Sequence, residues 1–469
     1  MTQTSQGFFS RLAAHFTRGA NTAGQALDRT LNPDNLQRQV DKMSKEVKEV
    51  FSKDRPNQLI DLGKAAKIAA GGLALAKPAL KNRALKACAR EIRAASDRIM
   101  AANAKDMSAG EEKGLSKAML DRLFLDKGRI EAMAKAILEI AKLEDPVGKV
   151  LSETQRPNGL KIQKISVPLG VIGIIYESRP NVTSDAAALC IKAGSACILR
   201  GGADSWHSAS VIANCMRQGL ESVGLNPDIV QRVPSAERAL VGDLLRLSAY
   251  VDVIVPRGGK SLVARVREEA RVPVFSHLDG ICHMYVDAKA DLKMALDLAI
   301  NAKMRRTGIC GSMETLLVHE AVADEFLPQI VAALHERNCE VRGDARVAQI
   351  PGVVPATDED WDREYLDAIV SVGVVADLDA AIAHIGRHSS HHTDAIVSDS
   401  KRSAQRFLNE VDSAIVMVNA STQFADGGEF GLGAEIGIST GRMHARGPVG
   451  AGELTTYKYQ VIGTGQLRP

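Results

Sequence analysis

Apolar residues in the middle of the chain fall into short continuous runs with helical stretches between them. Before this region, helical spacing predicts helices over Leu80–Met100 and Arg129–Leu143, and alternation predicts a half-buried strand or hairpin arm over Leu160–Val167. The runs, typical of buried parallel strands, are Val171–Tyr176, Ala196–Leu199, Ile229–Val233, Val251–Val255 and Val272–Phe275. The helices predicted between them are Ser184–Lys192, His207–Val223, Ala236–Ser248 and Lys260–Glu269. This alternation predicts right-handed βαβ units and a doubly wound sheet.

A second α/β series begins near Cys282. Its predicted strands are His283–Val286, Glu314–Val318, Ile369–Val375, Ala395–Val397 and Ala414–Val418. Its predicted helices are Leu292–Met304, Ala323–Arg337, Leu378–Ile385 and Ser403–Val411. Near the carboxy terminus, Leu454–Val461 again has the pattern of a strand. Two sheets in sequence predict two α/β lobes with a ligand-binding cleft.

The composition is that of an ordinary globular protein, with 45% hydrophobic and 25% charged residues among 469. The net charge is only +3, so charge gives no reason to expect a nucleic-acid partner. The seven cysteines include no C-x-x-C pair, which argues against a disulfide framework or zinc site and favours a reducing cytoplasm. No apolar run approaches the length of a membrane span. We expect residues 1–57 to form a loose or helical tail. The alternative interpretation is a targeting helix.

Glycine pairs follow two of the predicted strands. Arg200-Gly201-Gly202 ends the run at Ala196–Leu199, and Arg257-Gly258-Gly259 ends the run at Val251–Val255. Glycine has no side chain, so a phosphate can approach its backbone closely. The helix that follows offers unpaired N–H groups to the phosphate. The arginine beside the pair can hold two oxygens of a 2′-phosphate. Each pair alone is more often a plain strand-to-helix turn. Two pairs at the carboxyl ends of strands in one sheet support a nucleotide-binding interpretation.

Cys310 is the candidate nucleophile. It lies between a predicted helix and a predicted strand, in Arg305-Arg306-Thr307-Gly308-Ile309-Cys310-Gly311-Ser312. Small neighbours leave the sulfur accessible, and Arg305 and Arg306 favour the thiolate. A thiolate attacks an activated acyl group to form a thioester that can accept hydride. The other six cysteines are interpreted as buried apolar residues.

His388, His391 and His392 are the only cluster of histidines. Their spacing matches no metal motif, so we expect loop histidines near a ligand and no bound metal.

Around Cys310 and elsewhere the chain resembles the gamma-glutamyl phosphate reductase family of the aldehyde dehydrogenase superfamily, over about residues 60 to 469. The segments that carry the resemblance are 167–173, 176–183, 198–202, 255–259, 277–280, 301–303, 314–318, 418–422, 430–435, 444–448 and 454–458.

The resemblance implies an aldehyde dehydrogenase-like α/β fold. It implies a doubly wound NADP-binding domain over 58–281, an α/β catalytic domain over 282–438, and a small β oligomerisation flap. The flap would join residues 145–167 to a strand within the terminal segment 439–469. It further implies a cytoplasmic homo-oligomer that reduces L-glutamyl 5-phosphate to L-glutamate 5-semialdehyde with NADPH in proline biosynthesis, with glutamate 5-kinase as a candidate partner.

The resemblance also implies site roles. Asn181 and the Cys310 N–H would hold the oxyanion, and Arg179, Arg305 and Arg306 are candidates for the substrate's anionic groups. Asp279 stands near the place of the glutamate that activates water in hydrolytic relatives, and we expect no general-base role for it. Two departures from the family are Gly311, where the family often has asparagine, and residues 1–57, which have no counterpart.

Two other functions remain open from the sequence. One is an aldehyde dehydrogenase that oxidises a different aldehyde without phosphate. The other is a catalytically silent paralogue that binds nucleotide and regulates a partner kinase, which the unusual residues around Cys310 leave possible.

Overall fold

The computed structural model describes residues 58–468, and the predicted extension over residues 1–57 lies outside them. The helices are α1 Gln58–Ala74, α2 Pro78–Ala94, α3 Ser96–Glu112, α4 Lys117–Leu123, α5 Lys127–Lys142, α6 Val182–Lys192, α7 Trp206–Glu221, α8 Ala239–Leu245, α9 Lys260–Glu269, α10 Leu292–Met304, α11 Glu320–His335, α12 Leu378–His388 and α13 Lys401–Glu410. The strands are β1 Val150–Gln155, β2 Lys161–Pro168, β3 Val171–Tyr176, β4 Ala196–Arg200, β5 Val230–Arg232, β6 Val253–Arg257, β7 Cys282–Val286, β8 Met313–His319, β9 Glu340–Gly343, β10 Val354–Pro355, β11 Ile369–Val375, β12 Thr393–Val397, β13 Ile415–Val418, β14 Ile438–Ser439, β15 Gly447–Pro448 and β16 Thr455–Ile462. Within residues 58–468, no helix has both the length and the apolar character needed to cross a bilayer.

Two predicted elements differ from the structure. The helix predicted over Leu80–Met100 is two helices, α2 and α3, because Ala95 leaves helical geometry between them. The strand predicted over Val272–Phe275 is wrong, since only an isolated bridge joins Ile254 to Val274. Pro273 has no N–H to donate, so a regular ladder does not extend through it. The short strands β9 and β10 were not predicted.

The described chain forms two compact units by its contacts. The first contains the described residues up to Val147, together with Val167–Gly173 and Ser178–Asp252, and the second contains the rest. The contacts therefore group residues 253–281 with the second unit. The domain limits predicted from the sequence, 58–281 and 282–438, stay predictions.

The first unit is mainly helical around buried strands. Every residue of β4 is buried, and ten of the eleven residues of α6 are buried because small residues such as Ala186 and Ala187 let neighbouring elements approach closely. Strand β4 pairs in parallel with β5 in this unit, and both belong to a four-stranded sheet with the order β5-β4-β3-β6. Continuous apolar runs form these strands because no face of them meets water.

The second unit is built on a seven-stranded parallel sheet with the order β10-β9-β11-β8-β7-β12-β13. Alternate side chains of β7 enter different cores: Met284 and Val286 join the core that holds α10 and α11, while Tyr285 joins the core that holds α12 and α13. Because all seven strands are parallel, their amino ends meet at one edge of the sheet.

A separate antiparallel sheet has the order β1-β2-β16. The structure thus joins the arm within residues 145–167 to the carboxy-terminal strand, as predicted. All of β1 and nearly all of β16 are exposed, including the apolar side chains of Val150, Leu151, Tyr459 and Val461.

Candidate active site

The sheet of the second unit brings three distant residues to one edge. Cys310 precedes β8, His392 immediately precedes β12, and Cys282 is the first residue of β7. Strand β7 lies between β8 and β12, so the amino ends of these three strands are neighbours. His277 belongs to the segment that leads into β7.

Cys310 lies beside two imidazoles. The sulfur of Cys310 and one ring nitrogen each of His277 and His392 all lie within 4.8 Å of one another. Nδ1 of His277 is 2.6 Å from the carbonyl oxygen of Ile438, and because a carbonyl only accepts, Nδ1 carries the proton. Nδ1 of His392 is 2.9 Å from Oγ1 of Thr393, and its Nε2 has no hydrogen-bond partner among the described residues. Each ring therefore has its Nε2 available for the thiol.

The two imidazoles decide the ionisation of Cys310. Burial alone would raise the pKa of the Cys310 thiol, but His392 and His277 outweigh burial and hold that pKa well below its usual value. Burial would lower the pKa of His277, yet the hydrogen bond and charge of Cys310 raise it overall. These opposite shifts favour a thiolate on Cys310 beside an imidazolium on His277. The sequence assigned this effect to Arg305 and Arg306, but the imidazoles are the larger contributors, and the side chains of both arginines are exposed.

The other described cysteines behave as buried thiols, as predicted. All six are buried, whereas Cys310 is partly exposed. Cys282 is the instructive contrast, because its sulfur donates to the carbonyl oxygen of Cys310 at 3.1 Å and yet burial raises its pKa well above the usual value. The sulfur of Cys282 also lies 3.7 Å from Nδ1 of His392, so contact with one imidazole does not activate a fully buried thiol, whereas Cys310 has both His392 and His277 beside it.

Gly280 allows the close approach that positions Cys310. A Cβ at Gly280 would lie 2.6 Å from Cα of Cys310 and 2.7 Å from its Cβ, closer than real Cβ atoms come to other atoms. The N–H of Gly280 donates to Oε1 of Glu364 at 2.9 Å, which fixes this contact. At Gly311, a Cβ would come within 3.1 Å of the carbonyl oxygen of Thr422. The structure thus has little room for the side chain that the family often carries there.

A buried glutamine and a buried ion pair hold the ends of the Cys310 loop. Nε2 of Gln423 donates to the carbonyl oxygens of Ala302 at 2.8 Å and Arg306 at 3.1 Å. Lys303 and Glu314 form a fully buried ion pair at 2.6 Å on the two sides of the loop. Burial raises the pKa of Glu314 to about 7 even though Lys303 lowers it. Sequence reasoning missed Gln423, since one glutamine in a loop has no distinguishing pattern.

Only one residue of the predicted histidine cluster reaches the nucleophile. Nδ1 of His388 is 2.8 Å from Oδ1 of Asp362, and Nδ1 of His391 is 2.8 Å from the carbonyl oxygen of Asp412. His392 alone faces Cys310, and His277 joins it from a segment 115 residues earlier along the numbering. Sequence reasoning missed His277, which appears only as the first residue of the His-Leu-Asp-Gly segment.

Asp279 forms an ion pair. Its Oδ2 lies 3.0 Å from Nζ of Lys260, so the carboxylate already has a cationic partner. That Asp279 does not activate water stays a prediction.

The predicted residues of the first unit occupy loops next to buried elements. Asn181 directly precedes α6, and its Nδ2 donates to Oδ2 of Asp185 at 2.9 Å. Arg200 is largely buried, and its guanidinium donates to the carbonyl oxygens of Gly201 at 3.1 Å and Ala236 at 2.9 Å. Gly202 leads into the 3-10 turn before α7, and Arg179 is half-buried. The roles of these residues stay predictions.

The second glycine pair lies in the second unit, between β6 and α9. The N–H of Gly259 donates to Oε2 of Glu177 at 3.2 Å, and a Cβ at Gly258 would approach the same oxygen to 2.5 Å. The half-buried side chain of Arg257 points elsewhere. Its Nη1 lies 3.4 Å from where a Cβ of Gly437 would be, and it interacts electrostatically with His277 and Glu435.

The ligand atoms of His277, Cys310 and His392 also form a set that suits a soft metal ion. A metal bound to the sulfur would occupy the electron pair that a nucleophile uses, so we keep the prediction that this site works without a metal.

Comparison with known proteins identifies the family of the chain. The model of the aldehyde dehydrogenase family matches residues 34–351. The chain is 61% identical over 420 residues to the gamma-glutamyl phosphate reductase of Paramagnetospirillum magneticum, covering 89% of this chain and 99% of the relative. It is 60% identical over 417 residues to the Rhodospirillum rubrum enzyme of the same name, covering 89% and 98%.

Solved structures give the same result for the fold. The crystal structure of gamma-glutamyl phosphate reductase from Thermotoga maritima matches with a TM-score of 0.86 and 44% identity, over 88% of this chain and 100% of that one. An acetylating aldehyde dehydrogenase from Geobacillus thermoglucosidasius shares the fold, with a TM-score of 0.62 and 16% identity over 92% and 99%. The predicted aldehyde dehydrogenase-like α/β fold is confirmed. The chain belongs to the aldehyde dehydrogenase family and, within it, to the gamma-glutamyl phosphate reductases.

Proposed function

We propose that this chain reduces L-glutamyl 5-phosphate to L-glutamate 5-semialdehyde with NADPH through a thioester on Cys310. The observation that carries this proposal is a partly exposed thiol with two imidazoles beside it, an arrangement that supplies a thiolate near neutral pH. The high identity to enzymes named for this substrate supports the acyl phosphate as the electrophile.

In this mechanism the Cys310 thiolate attacks the acyl carbon, and phosphate leaves. The Cys310 N–H and, by family resemblance, Asn181 hold the oxyanion. Bound NADPH supplies the hydride that reduces the thioester. Asp279, paired with Lys260, leaves the thioester without an activated water, so reduction is favoured over hydrolysis.

The nucleotide fits the glycine pairs for a steric reason. No atom lies within 4 Å of where a Cβ of Gly259 would stand, so the backbone there is open to a phosphate, whereas the space beside Gly258 holds a carboxylate oxygen of Glu177. Gly201 and Gly202 follow a fully buried strand and lead towards α7. We propose that Arg200, Gly201, Gly202, Gly258 and Gly259 hold NADPH.

The substrate also carries a carboxylate. Arg305 and Arg306 precede Cys310 and are exposed, and with Arg179 they remain our candidates for this anion.

We also propose a cytoplasmic homo-oligomer. The exposed apolar side chains on β1 and β16 support assembly through the flap, because monomers seldom expose such contiguous apolar strands. Glutamate 5-kinase, whose product is the proposed substrate, stays a candidate partner.

One assay tests the proposal in the reverse direction. NADPH formation from glutamate semialdehyde and NADP⁺ is followed with and without phosphate. We expect strict dependence on phosphate and no activity in Cys310→Ala, while Cys339→Ala, which removes a buried thiol of the same unit, keeps activity. NADPH formation without phosphate would instead identify an oxidising aldehyde dehydrogenase, and a folded but inactive wild-type protein would favour a silent paralogue.

A further inference from the structure

Arg257 is a cation without a bonded partner near the nucleophile. Its guanidinium is half-buried, and within residues 58–468 it forms neither a hydrogen bond nor an ion pair. A guanidinium without a protein partner keeps its donors available for an anion, and its planar fork of N–H groups suits a phosphoryl group.

Two adjacent residues tie Arg257 to His277. Nη1 of Arg257 packs against Gly437, 3.4 Å from where a Cβ would stand, and the next residue, Ile438, holds Nδ1 of His277 at 2.6 Å. Gly437 has a φ of +152° and no side chain, so the arginine can lie flat against the backbone at this point. Arg257 and His277 are thus held against consecutive residues and interact electrostatically, and His277 in turn lies next to Cys310.

Acyl phosphate chemistry requires a proton at this place. When sulfur replaces oxygen at the acyl carbon, the C–S bond forms, the C–O bond breaks, and the phosphate departs with the electron pair. An unprotonated phosphate trianion is strongly basic, so it leaves as hydrogen phosphate. Taking an acyl phosphate dianion and NADPH to aldehyde, NADP⁺ and hydrogen phosphate consumes one proton overall.

The two histidines differ in their access to solvent. His392 is fully buried, whereas His277 is partly exposed and can exchange its proton with solvent or substrate. His277 is thus the imidazole suited to take the thiol proton from Cys310 and pass it to the departing phosphate.

We infer that Arg257 and His277 form the phosphate subsite of this enzyme: Arg257 binds the phosphoryl group and His277 protonates its oxygen as the C–O bond breaks. This inference rests on the proposed function. It moves Arg257, predicted from the sequence as a nucleotide ligand, to the substrate. Glu435 is the carboxylate that also interacts with Arg257, but it forms no ion pair with it among the described residues, so the guanidinium stays available.

The first experiment measures the dependence of the reverse reaction on phosphate in the full-length chain. We expect Arg257→Gln to raise the KM for phosphate about ten- to hundredfold, the effect of losing charge-assisted hydrogen bonds, and Arg257→Lys to recover part of it. Arg267→Gln, an exposed arginine of the neighbouring helix α9, is the matched control and should leave the KM unchanged. An unchanged KM for phosphate in Arg257→Gln would overturn the binding role.

The second experiment separates proton transfer from thiol activation. Acylation of Cys310 by 4-nitrophenyl acetate needs no phosphate and releases a nitrophenolate that needs no proton. At a pH high enough to ionise the thiol in each variant, we expect His277→Gln to keep this acylation burst within a few-fold of the wild type. Its phosphate-dependent turnover should fall about 10²–10⁴-fold. An equal fall in both reactions would refute proton delivery to phosphate, whereas a wild-type protein without a burst would refute the Cys310 mechanism itself.

Discussion

Replacing Gly280 with alanine would push a methyl group into the backbone of Cys310. The new Cβ would lie 2.6 Å from Cα and 2.7 Å from Cβ of Cys310, where real Cβ atoms keep at least 3.0 Å. The new methyl group would come closer still to the carbonyl oxygen of Cys310, so relieving the overlaps moves the Cys310 backbone by at least about half an ångström. Since a misplacement of about 1 Å can reduce the rate of an enzyme about 10²-fold, we expect kcat to fall about tenfold to hundredfold. Overpacking should also cost about 1–3 kcal/mol of unfolding free energy.

The assay is NADPH formation from glutamate semialdehyde with saturating phosphate, together with urea unfolding of the same preparations. Gly386→Ala is the matched control, because Gly386 lies in α12 of the same unit, and no atom lies within 4 Å of the place where its new methyl group would stand. That variant should keep full activity and gain about 1 kcal/mol, the difference in helix propensity between alanine and glycine. Full activity in folded Gly280→Ala would show that the close contact with Gly280 does not position Cys310.

Three further predictions concern the surroundings of the site and the flap. In His392→Gln, removal of an imidazole that lowers the pKa of Cys310 should shift the pH profile of Cys310 alkylation by iodoacetamide to higher pH, and an unshifted profile would contradict the electrostatic role of His392. Lys303→Met should reduce the unfolding free energy by about 3–5 kcal/mol in alkaline buffer, where the Glu314 carboxylate is left buried without its partner. Burial raises the pKa of Glu314 to about 7 even beside Lys303, and losing Lys303 raises that pKa further, so urea unfolding should show the loss growing as the pH rises above about 7 and shrinking at lower pH. Val461→Lys, on the exposed strand β16, should dissociate the proposed oligomer in sedimentation velocity without lowering the thermal stability of the monomer.

Local sequence patterns predicted the elements that depend on local physics. Val171–Tyr176 and Ile369–Val375 are strands with the predicted bounds, because a continuous apolar run between helices has no stable place except a buried parallel sheet. The two elements that were predicted wrongly are each interrupted at one residue. Pro273 prevents a strand where the apolar run favoured one, and Ala95 divides a continuous helical pattern into two helices.

Cys310 could be identified from the sequence because its neighbours are small and its segment lies between a helix and a strand. What activates it could not be identified in this way. The nearby arginines were the visible cations, but their side chains are exposed, and the groups that lower the pKa of Cys310 are His277 and His392. Neither histidine is close to Cys310 along the chain.

The order of residues was enough to predict the alternation of strands and helices, the family and the candidate nucleophile, since each depends on neighbouring residues or on motifs read in order. The side chains that surround this nucleophile depend instead on the folded chain. Parallel strands β8, β7 and β12 meet at their amino ends in an order that differs from their order in the chain. Electrostatic interactions depend on distance in space, so this strand order, rather than any spacing in the sequence, places two imidazoles beside the sulfur.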